Sequence, residues 1–369
     1  MTIICKSNEL YEAIVNVSKA VFEKSTLLVL EGIKINVKKT AVELTGYDLE
    51  IGIQTEISAS SIGTGQFVVN ARLLGEMIKK MNSEDVTLEV IDNQQIKVYG
   101  GDTEYTIMYM NAVEFPTLPT VSDDAEVFEI SQPVLKSMIN QTIFAVAQTD
   151  AKPVLKGELF EIDNNKLTVV AIDGYRLAVR DEAIKYDGQN KMIIPSKALY
   201  EISKLLKDDD ELTAKIFISR KHVIFEFSGY TVYSRLIEGE FHNYKGSIPD
   251  SGNTEVIIDR KEFINSLERA SILINERIKS PVRCIFNNGA LSISCVTSIG
   301  KINDKISADI TGPMMEIGFN CKFLLDPLKV IEEDKVKLLM NGGNLPMKIV
   351  PVNGEGYTFL VLPVRLKSE

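Results

Sequence analysis

Apolar and polar residues alternate along much of this chain, the pattern of half-buried strands, and shorter segments with an apolar period of three to four residues interrupt it. A strand is predicted at 3–5. Ser7 and Asn8 then stand as caps for a helix over 9–22, with Leu10, Ile14, Val17 and Val21 on one face. Strand patterns follow at 28–37, 41–44, 51–57 and 66–69. Asn70 caps a second predicted helix over 71–81, and strands at 86–91, 95–98 and 105–109 come next. Glu114-Phe115-Pro116-Thr117-Leu118-Pro119 closes the unit, and Ser122-Asp123-Asp124 reads as a linker.

The order then returns twice. The second pass has a strand at 127–130, a helix over 131–146, strands within 159–177 and at 192–194, and a helix over 196–207. Strands at 212–218, 222–227 and 231–237 follow, then the closing segment Glu240-Phe241-His242-Asn243-Tyr244 and a linker at 251–253. The third pass has a strand at 256–258, a helix over 260–275, and strands at 283–286, 291–296 and 306–310. A helix over 321–333 and strands at 335–340, 347–350 and 357–364 complete it. Pro327 should kink this last helix or delay its start. Asn70-Ala71-Arg72-Leu73-Leu74, Pro195-Ser196-Lys197-Ala198-Leu199 and Asn320-Cys321-Lys322-Phe323-Leu324 occupy one slot, 125 residues apart each time (72 to 197, 197 to 322). A period this long means three similar domains rather than a solenoid. In the middle of the chain, Ala171 to Arg180 (AIDGYRLAVR) reads as a hairpin, with Asp173-Gly174 as its turn.

Composition narrows the class. Of 369 residues, 45% are apolar and 25% charged, as in a soluble globular protein, and no apolar run is long enough for a membrane span. The N-terminus has no signal-peptide pattern, and Cys5, Cys284, Cys295 and Cys321 lack metal or disulfide spacing, so a cytoplasmic setting is expected. A net charge of −10 argues against coating nucleic acid with the whole surface, but not against a local basic patch. Such a patch is suggested by basic pairs seven residues apart on the second helix of each unit: Arg72 and Lys79, Lys197 and Lys204, Lys322 and Lys329. Seven residues is about two turns, so each pair shares a face. Lys80 and Lys207 add to these helices, and Lys19, Lys24 and Lys136 lie near the first helices. Their aim would be a phosphate backbone, without sequence preference.

No phosphate loop, dinucleotide fingerprint, zincin or nucleophile-elbow motif occurs. Of the two histidines, His222 falls in a turn before a strand. Asp173 and Asp48 sit in corresponding turns, and Asp208-Asp209-Asp210 lies between a helix and a strand. A metal-dependent phosphoesterase or nuclease using Asp173 or the Asp208 run is the alternative reading, and a scaffold that never touches DNA is another.

Thr45-Gly46-Tyr47-Asp48-Leu49-Glu50, Ala171-Ile172-Asp173-Gly174-Tyr175-Arg176-Leu177-Ala178-Val179, Glu316-Ile317-Gly318-Phe319-Asn320 and Leu362-Pro363-Val364-Arg365-Leu366 together resemble the bacterial DNA polymerase III β subunits, the sliding clamps. The similarity covers the whole chain. It implies an α+β fold of three similar DNA-clamp domains, each two helices against antiparallel sheets, over 1–124, 125–251 and 252–369. It implies a head-to-tail homodimer, a six-domain ring around duplex DNA, with no catalysis and neither cofactor nor metal. The channel residues would be Lys24, Arg72, Lys79, Lys80, Lys136, Lys197, Lys204, Lys322 and Lys329. Short linear motifs of the polymerase III α subunit, the clamp loader, other polymerases and repair proteins would enter a cleft. Its positions here are Leu155, Ile172, Gly174, Tyr175, Arg176, Leu177, His242, Ser247, Asn320, Phe323, Leu360, Leu362, Pro363, Val364 and Arg365. His242 replaces a frequent Pro, Ser247 a larger apolar residue and Ile172 a frequent Thr. Lys152-Pro153-Val154 lacks an aromatic pair found in some members, and 367–369 extend past the usual end. At the ring joint, Ile78 and Met108 would meet Ile272 and Leu273 of the partner, and Glu104 would pair with Lys301.

Overall fold

The computed structural model describes residues 1–91, 94–121, 125–149, 151–274 and 280–366. The expected linker at 122–124, Asn275 at the expected end of the fifth helix, and the extension 367–369 lie outside the described residues. Six α-helices occur among the described residues: α1 (Ser7–Val17), α2 (Ala71–Lys80), α3 (Gln132–Thr142), α4 (Ser196–Leu205), α5 (Arg260–Ser271) and α6 (Cys321–Val330). Two fall in each repeat, and the strand ladders are antiparallel.

The chain forms two compact units, and the central repeat contributes to both. The first comprises Met1–Leu135 and Glu201–Leu236. It holds a five-stranded sheet that ends on Ser60–Ile62 and on Thr103–Met108, and a nine-stranded sheet. In the larger sheet, Ile51–Ser58 of the first repeat pairs with Tyr230–Arg235 of the second, Ile53 opposite Val232. α1 closes this core by burying Leu10, Ile14 and Val17 of the predicted stripe together with Ala13, and it ends at Val17, so Val21 lies outside it in extended chain. The second unit comprises Lys136–Tyr200 and Ile237–Glu369 and holds a twelve-stranded sheet. Here Arg176–Ala183 of the second repeat pairs with Tyr357–Val361 of the third, Leu177 opposite Leu360. Phe263, Phe286, Phe319 and Phe359 are fully buried in its core.

Several local expectations change for identifiable reasons. α1 begins at Ser7 after Lys6, with no side-chain cap. The Ser7 amide instead donates to the Glu84 carbonyl at 2.8 Å, because the preceding strand is already paired up to Lys6 and Asp85. Leu28–Glu31 is a 3-10 turn rather than strand, and the strand starts at Gly32. The short strand Ser60–Ile62 had no visible signal. His222 is the first residue of a strand. Pro327 does not delay α6: the Asn320 side chain accepts from the Lys322 amide at 3.0 Å and starts the helix, which ends three residues after the proline. The last strand stops at Val361, short of the predicted 364. Asn70 caps α2 as its sequence suggests, accepting from the Leu73 amide at 2.9 Å.

Candidate functional site

The central hairpin joins Lys166–Ile172 to Arg176–Ala183. The Asp173 Oδ1 accepts from the amides of Tyr175 at 2.9 Å and Arg176 at 3.0 Å, and Gly174 takes φ +90°. The other repeats build the same turn from different residues. Asp48 Oδ1 accepts from Glu50 N at 3.0 Å and Ile51 N at 2.7 Å, with Leu49 at φ 70° in the glycine's place. Thr297 Oγ1 accepts from Ile299 N at 3.3 Å. These acceptors are therefore turn chemistry in all three repeats.

What distinguishes the central turn is its coupling to α6. The Asp173 Oδ2 takes the Arg176 Nε at 2.9 Å, and a second guanidinium nitrogen pairs with Asp326. The guanidinium lies over the Phe323 ring at 4.6 Å and the Phe144 ring at 5.5 Å. Arg176 is only 6% exposed. Two carboxylates thus occupy it, and it acts as a bolt between hairpin and helix rather than as an outward donor. Above it the Tyr175 ring, 63% exposed, stacks on Phe323 with centroids 5.9 Å apart.

Beyond Val361 the chain stays extended and continues to pair. The Leu362 amide donates to the Tyr175 carbonyl at 2.9 Å, and the Val364 amide to the Gly318 carbonyl at 2.8 Å. Gly318 is required by this crossing, since a Cβ there would lie 2.6 Å from the Val364 carbonyl oxygen. Beside the tail, Leu177 and Leu360 form the buried floor of an apolar cluster with Leu159, Val170, Val179, Ile193 and Tyr244. Ile172, Val154, Phe241 and Ile248 pack against it, half-buried. Tyr175, Leu362 and Val364 expose apolar surface. Leu155 is half-buried, and His242 and Ser247 are exposed on the loop that carries Phe241 and Tyr244. The Asn320 side-chain oxygen is engaged as the α6 cap. Pro363 is half-buried and Arg365 exposed. Sequence reasoning missed Val154, Phe241, Tyr244 and Ile248. The signal was present for one of them: Phe241 and Phe115 hold the same place in the closing segments of their repeats.

Profiles of the DNA polymerase III beta subunit match the chain three times in succession: the N-terminal domain over residues 1–119, the central domain over 129–243 and the C-terminal domain over 245–365. The Beta sliding clamp of Staphylococcus aureus is 33% identical over 358 residues, covering 94% of each chain. The chain belongs to the DNA polymerase III β subunit family. Solved clamps agree. The DNA polymerase sliding clamp from Bacillus subtilis is 31% identical and superposes with a TM-score of 0.95 over 100% of both chains. A sliding clamp from Pseudomonas aeruginosa bound to griselimycin is 28% identical, with a TM-score of 0.92 over 99% of this chain and 100% of that one. The three repeats are three clamp domains of α+β class.

Within this clamp chain, Arg72, Lys79 and Lys80 are exposed on α2, and Lys24 is exposed in the segment after α1. Lys197 and Lys204 are exposed on α4, Lys204 with its Nζ 3.5 Å from Glu201, and Lys136 is half-buried on α3. Lys322 and Lys329 are exposed on α6, and Lys329 pairs with Glu268 at 2.7 Å. Two of the expected joint residues change character. Ile78 is 2% exposed and packs into its own domain with Leu74 and Ala71, so it offers almost no surface to a partner. Glu104 already pairs with Lys97 at 3.1 Å. Met108 and Ile272 do present apolar surface, 59% and 77% exposed, with Leu273 half-buried and Lys301 exposed. The Asp208–Asp210 run forms a turn in which the Asp209 Oδ1 accepts from Glu211 N at 3.0 Å. Among the described residues no group of three or more His, Cys, Asp or Glu is placed to hold a metal ion. No helix among them is long and apolar enough to cross a membrane.

Proposed function

We propose that this chain is the processivity clamp of a replicative polymerase: two copies close head to tail into a ring around duplex DNA and tether the polymerase without catalysis. The observation that carries the reading is a strand joint made twice and left open once. Ile51–Ser58 of the first domain pairs with Tyr230–Arg235 of the second, and Arg176–Ala183 of the second with Tyr357–Val361 of the third. The equivalent strand of the third domain, Gly300–Thr311, has no neighbour on that side over its first residues among the described residues. The equivalent last strand of the first domain, Thr103–Met108, is a sheet edge. Open edges invite pairing, and a head-to-tail contact either closes or runs on as a filament.

The two formed joints supply a register for the third. Ile51, Arg176 and Gly300 each follow the turn, and Ile51 faces Ser234. Ser234 and Ile107 hold the same place relative to their hairpins, which pair Phe227 with Tyr230 and Gly100 with Thr103. Gly300 of one protomer thus faces Ile107 of its partner, and the exposed Met108 faces the exposed Ile299. Leu273 lies beside Gly300, within 3.5 Å of where a Cβ would stand. Lys301 falls opposite Thr106, on the same face as Glu104, so it would extend the Lys97–Glu104 pair into a chain of three charges.

The domains proposed are 1–124, 125–251 and 252–369, in a cytoplasmic protein. The exposed lysines and arginines of α2, α4 and α6 would line the channel and touch phosphates without base contacts, leaving the ring able to slide. Leu or Phe anchors of short motifs from the polymerase, the clamp loader and repair proteins would enter the cleft between the hairpin, the 237–248 loop and the tail. Primer extension on primed circular DNA tests the whole reading. A clamp lengthens products only when loaded on DNA it cannot slide off, shows no turnover of its own, and has the mass of a dimer by light scattering. A monomer that leaves product length unchanged refutes it.

A further inference from the structure

One wall of the cleft is irregular chain. Between Ile237, whose amide donates to the Ile193 carbonyl at 2.9 Å, and Pro249, whose carbonyl accepts from Lys348 Nζ at 3.0 Å, the only helical feature is the 3-10 turn Lys245–Ser247. This loop carries Phe241, His242, Ser247 and Ile248. Near its middle the Tyr244 ring is buried in the apolar cluster with Leu177 and Leu360. Its hydroxyl donates to Glu161 Oε2 at 2.7 Å. Glu161 is itself buried, on the strand Gly157–Asp163, and its two oxygens also receive Lys191 at 2.8 Å and Lys245 at 3.1 Å. The carboxylate is thus satisfied on both oxygens, and Lys245 belongs to the loop being held.

We propose that the Tyr244–Glu161 hydrogen bond is a positioning pin for partner binding. It holds the 237–248 loop at the height where Phe241 and Ile248 complete the cleft, from Glu161, two residues along the strand from the cluster residue Leu159. The pin rests on the cleft reading above. Three features support it. The bond joins groups 83 residues apart and is buried. Two lysines fix the acceptor as an anion, its pKa pulled down to about 2 by these donors against the effect of burial. The rest of the loop has few backbone bonds to replace it, and Gly239, at φ +137°, permits a close approach to Val154, whose Cγ1 would lie 2.7 Å from a Cβ. A loop that is cleft-competent only part of the time lowers apparent affinity by that fraction.

The test is fluorescence anisotropy of a labelled peptide of QLxLF type with the full-length protein and the variants Tyr244→Phe, Glu161→Ala, Glu161→Gln, Leu177→Ala and Tyr230→Phe. Tyr230 is a control: its hydroxyl bonds Asn16 Nδ2 at 2.6 Å in the other unit, remote in role from the cleft. Tyr244→Phe and Glu161→Ala should weaken the peptide about three- to tenfold, the span of one lost hydrogen bond. Glu161→Gln, which keeps an acceptor, should fall nearer wild type, and Tyr230→Phe should bind as wild type. Wild-type affinity for Tyr244→Phe and Glu161→Ala, with Leu177→Ala weakened, overturns the pin and leaves the cleft standing. An equal loss in Tyr230→Phe also overturns the pin, by showing a global effect. Wild-type affinity for Leu177→Ala overturns the cleft, and the pin with it.

Discussion

Gly318 is where the C-terminal tail can be lifted without touching any proposed cleft side chain. A Cβ at this position would lie 2.6 Å from the Val364 carbonyl oxygen and 2.7 Å from Leu366 Cδ2. Gly318 lies in the strand Met315–Phe319, opposite Arg283 in a ladder that runs from Val282 to Phe286, so the strand is held and the tail must move. Lifting it breaks the 2.8 Å bond from Val364 N to Gly318 O and strains the 2.9 Å bond from Leu362 N to Tyr175 O. Each is worth about 0.5–1.5 kcal/mol, so Gly318→Val should cost the fold roughly 1–3 kcal/mol. Binding should suffer more selectively, because Leu362 and Val364 withdraw from the cleft. An anchoring Leu buried against them contributes ~1.5–3 kcal/mol, and its loss corresponds to about a ten- to hundredfold weaker peptide. The assay is calorimetric titration of a QLxLF-type peptide against wild type, Gly318→Val and a chain ending at Val361, with light scattering to confirm that all three remain dimers. Gly318→Val should fall between the other two. If it binds as wild type while the truncation loses the peptide, the tail is not displaced as the close approach requires. If the truncated chain binds as wild type, the tail is no wall of the cleft at all.

Ile272→Ala combined with Leu273→Ala removes apolar surface from the proposed third joint and should give monomers at nanomolar concentration by mass photometry; a persistent dimer would contradict that joint. Changing Arg72, Lys197 and Lys322 together to Glu should shorten clamp residence on circular DNA and flatten its salt dependence, since phosphate contacts release counterions. Residence unchanged at moderate salt would remove these residues from the channel. Glu158 is fully buried, accepts one bond from Thr142 Oγ1 at 3.0 Å, and has its pKa raised well above 4.5 by burial. The folded state therefore retains a proton that the unfolded chain gives up near 4.5. The contribution of Glu158 to stability is fully present below that pH and is lost as pH rises from about 4.5 toward the raised folded value. Glu158→Gln should remove this fall, so its melting temperature should gain on wild type across that window, and parallel curves would show that Glu158 does not titrate this way.

Much of this protein was legible in its sequence because its folding rules are local. Asn70 and Asn320 marked helix starts by their own capping chemistry, the Asp173-Gly174 turn followed from a side chain that bonds its own backbone, and the α1 stripe followed from the helical period. The 125-residue spacing of Arg72, Lys197 and Lys322 gave the three domains. Resemblance, not pattern, then singled out the cleft positions. What failed had non-local causes. The start of α1 is satisfied by Glu84, far along the chain, and no residue near Ser7 could announce it. Ile78 looked available at the joint, yet the packing of its own domain buried it. Arg176 was named only as a cleft position, and nothing near it in the chain announced its pairing with Asp326, 150 residues away. Sequence by itself determined the elements, their threefold order and the family. Tertiary structure decided which side chains remained to meet a partner, because burial and charge pairing are settled by neighbours that lie close in space and far apart in the chain.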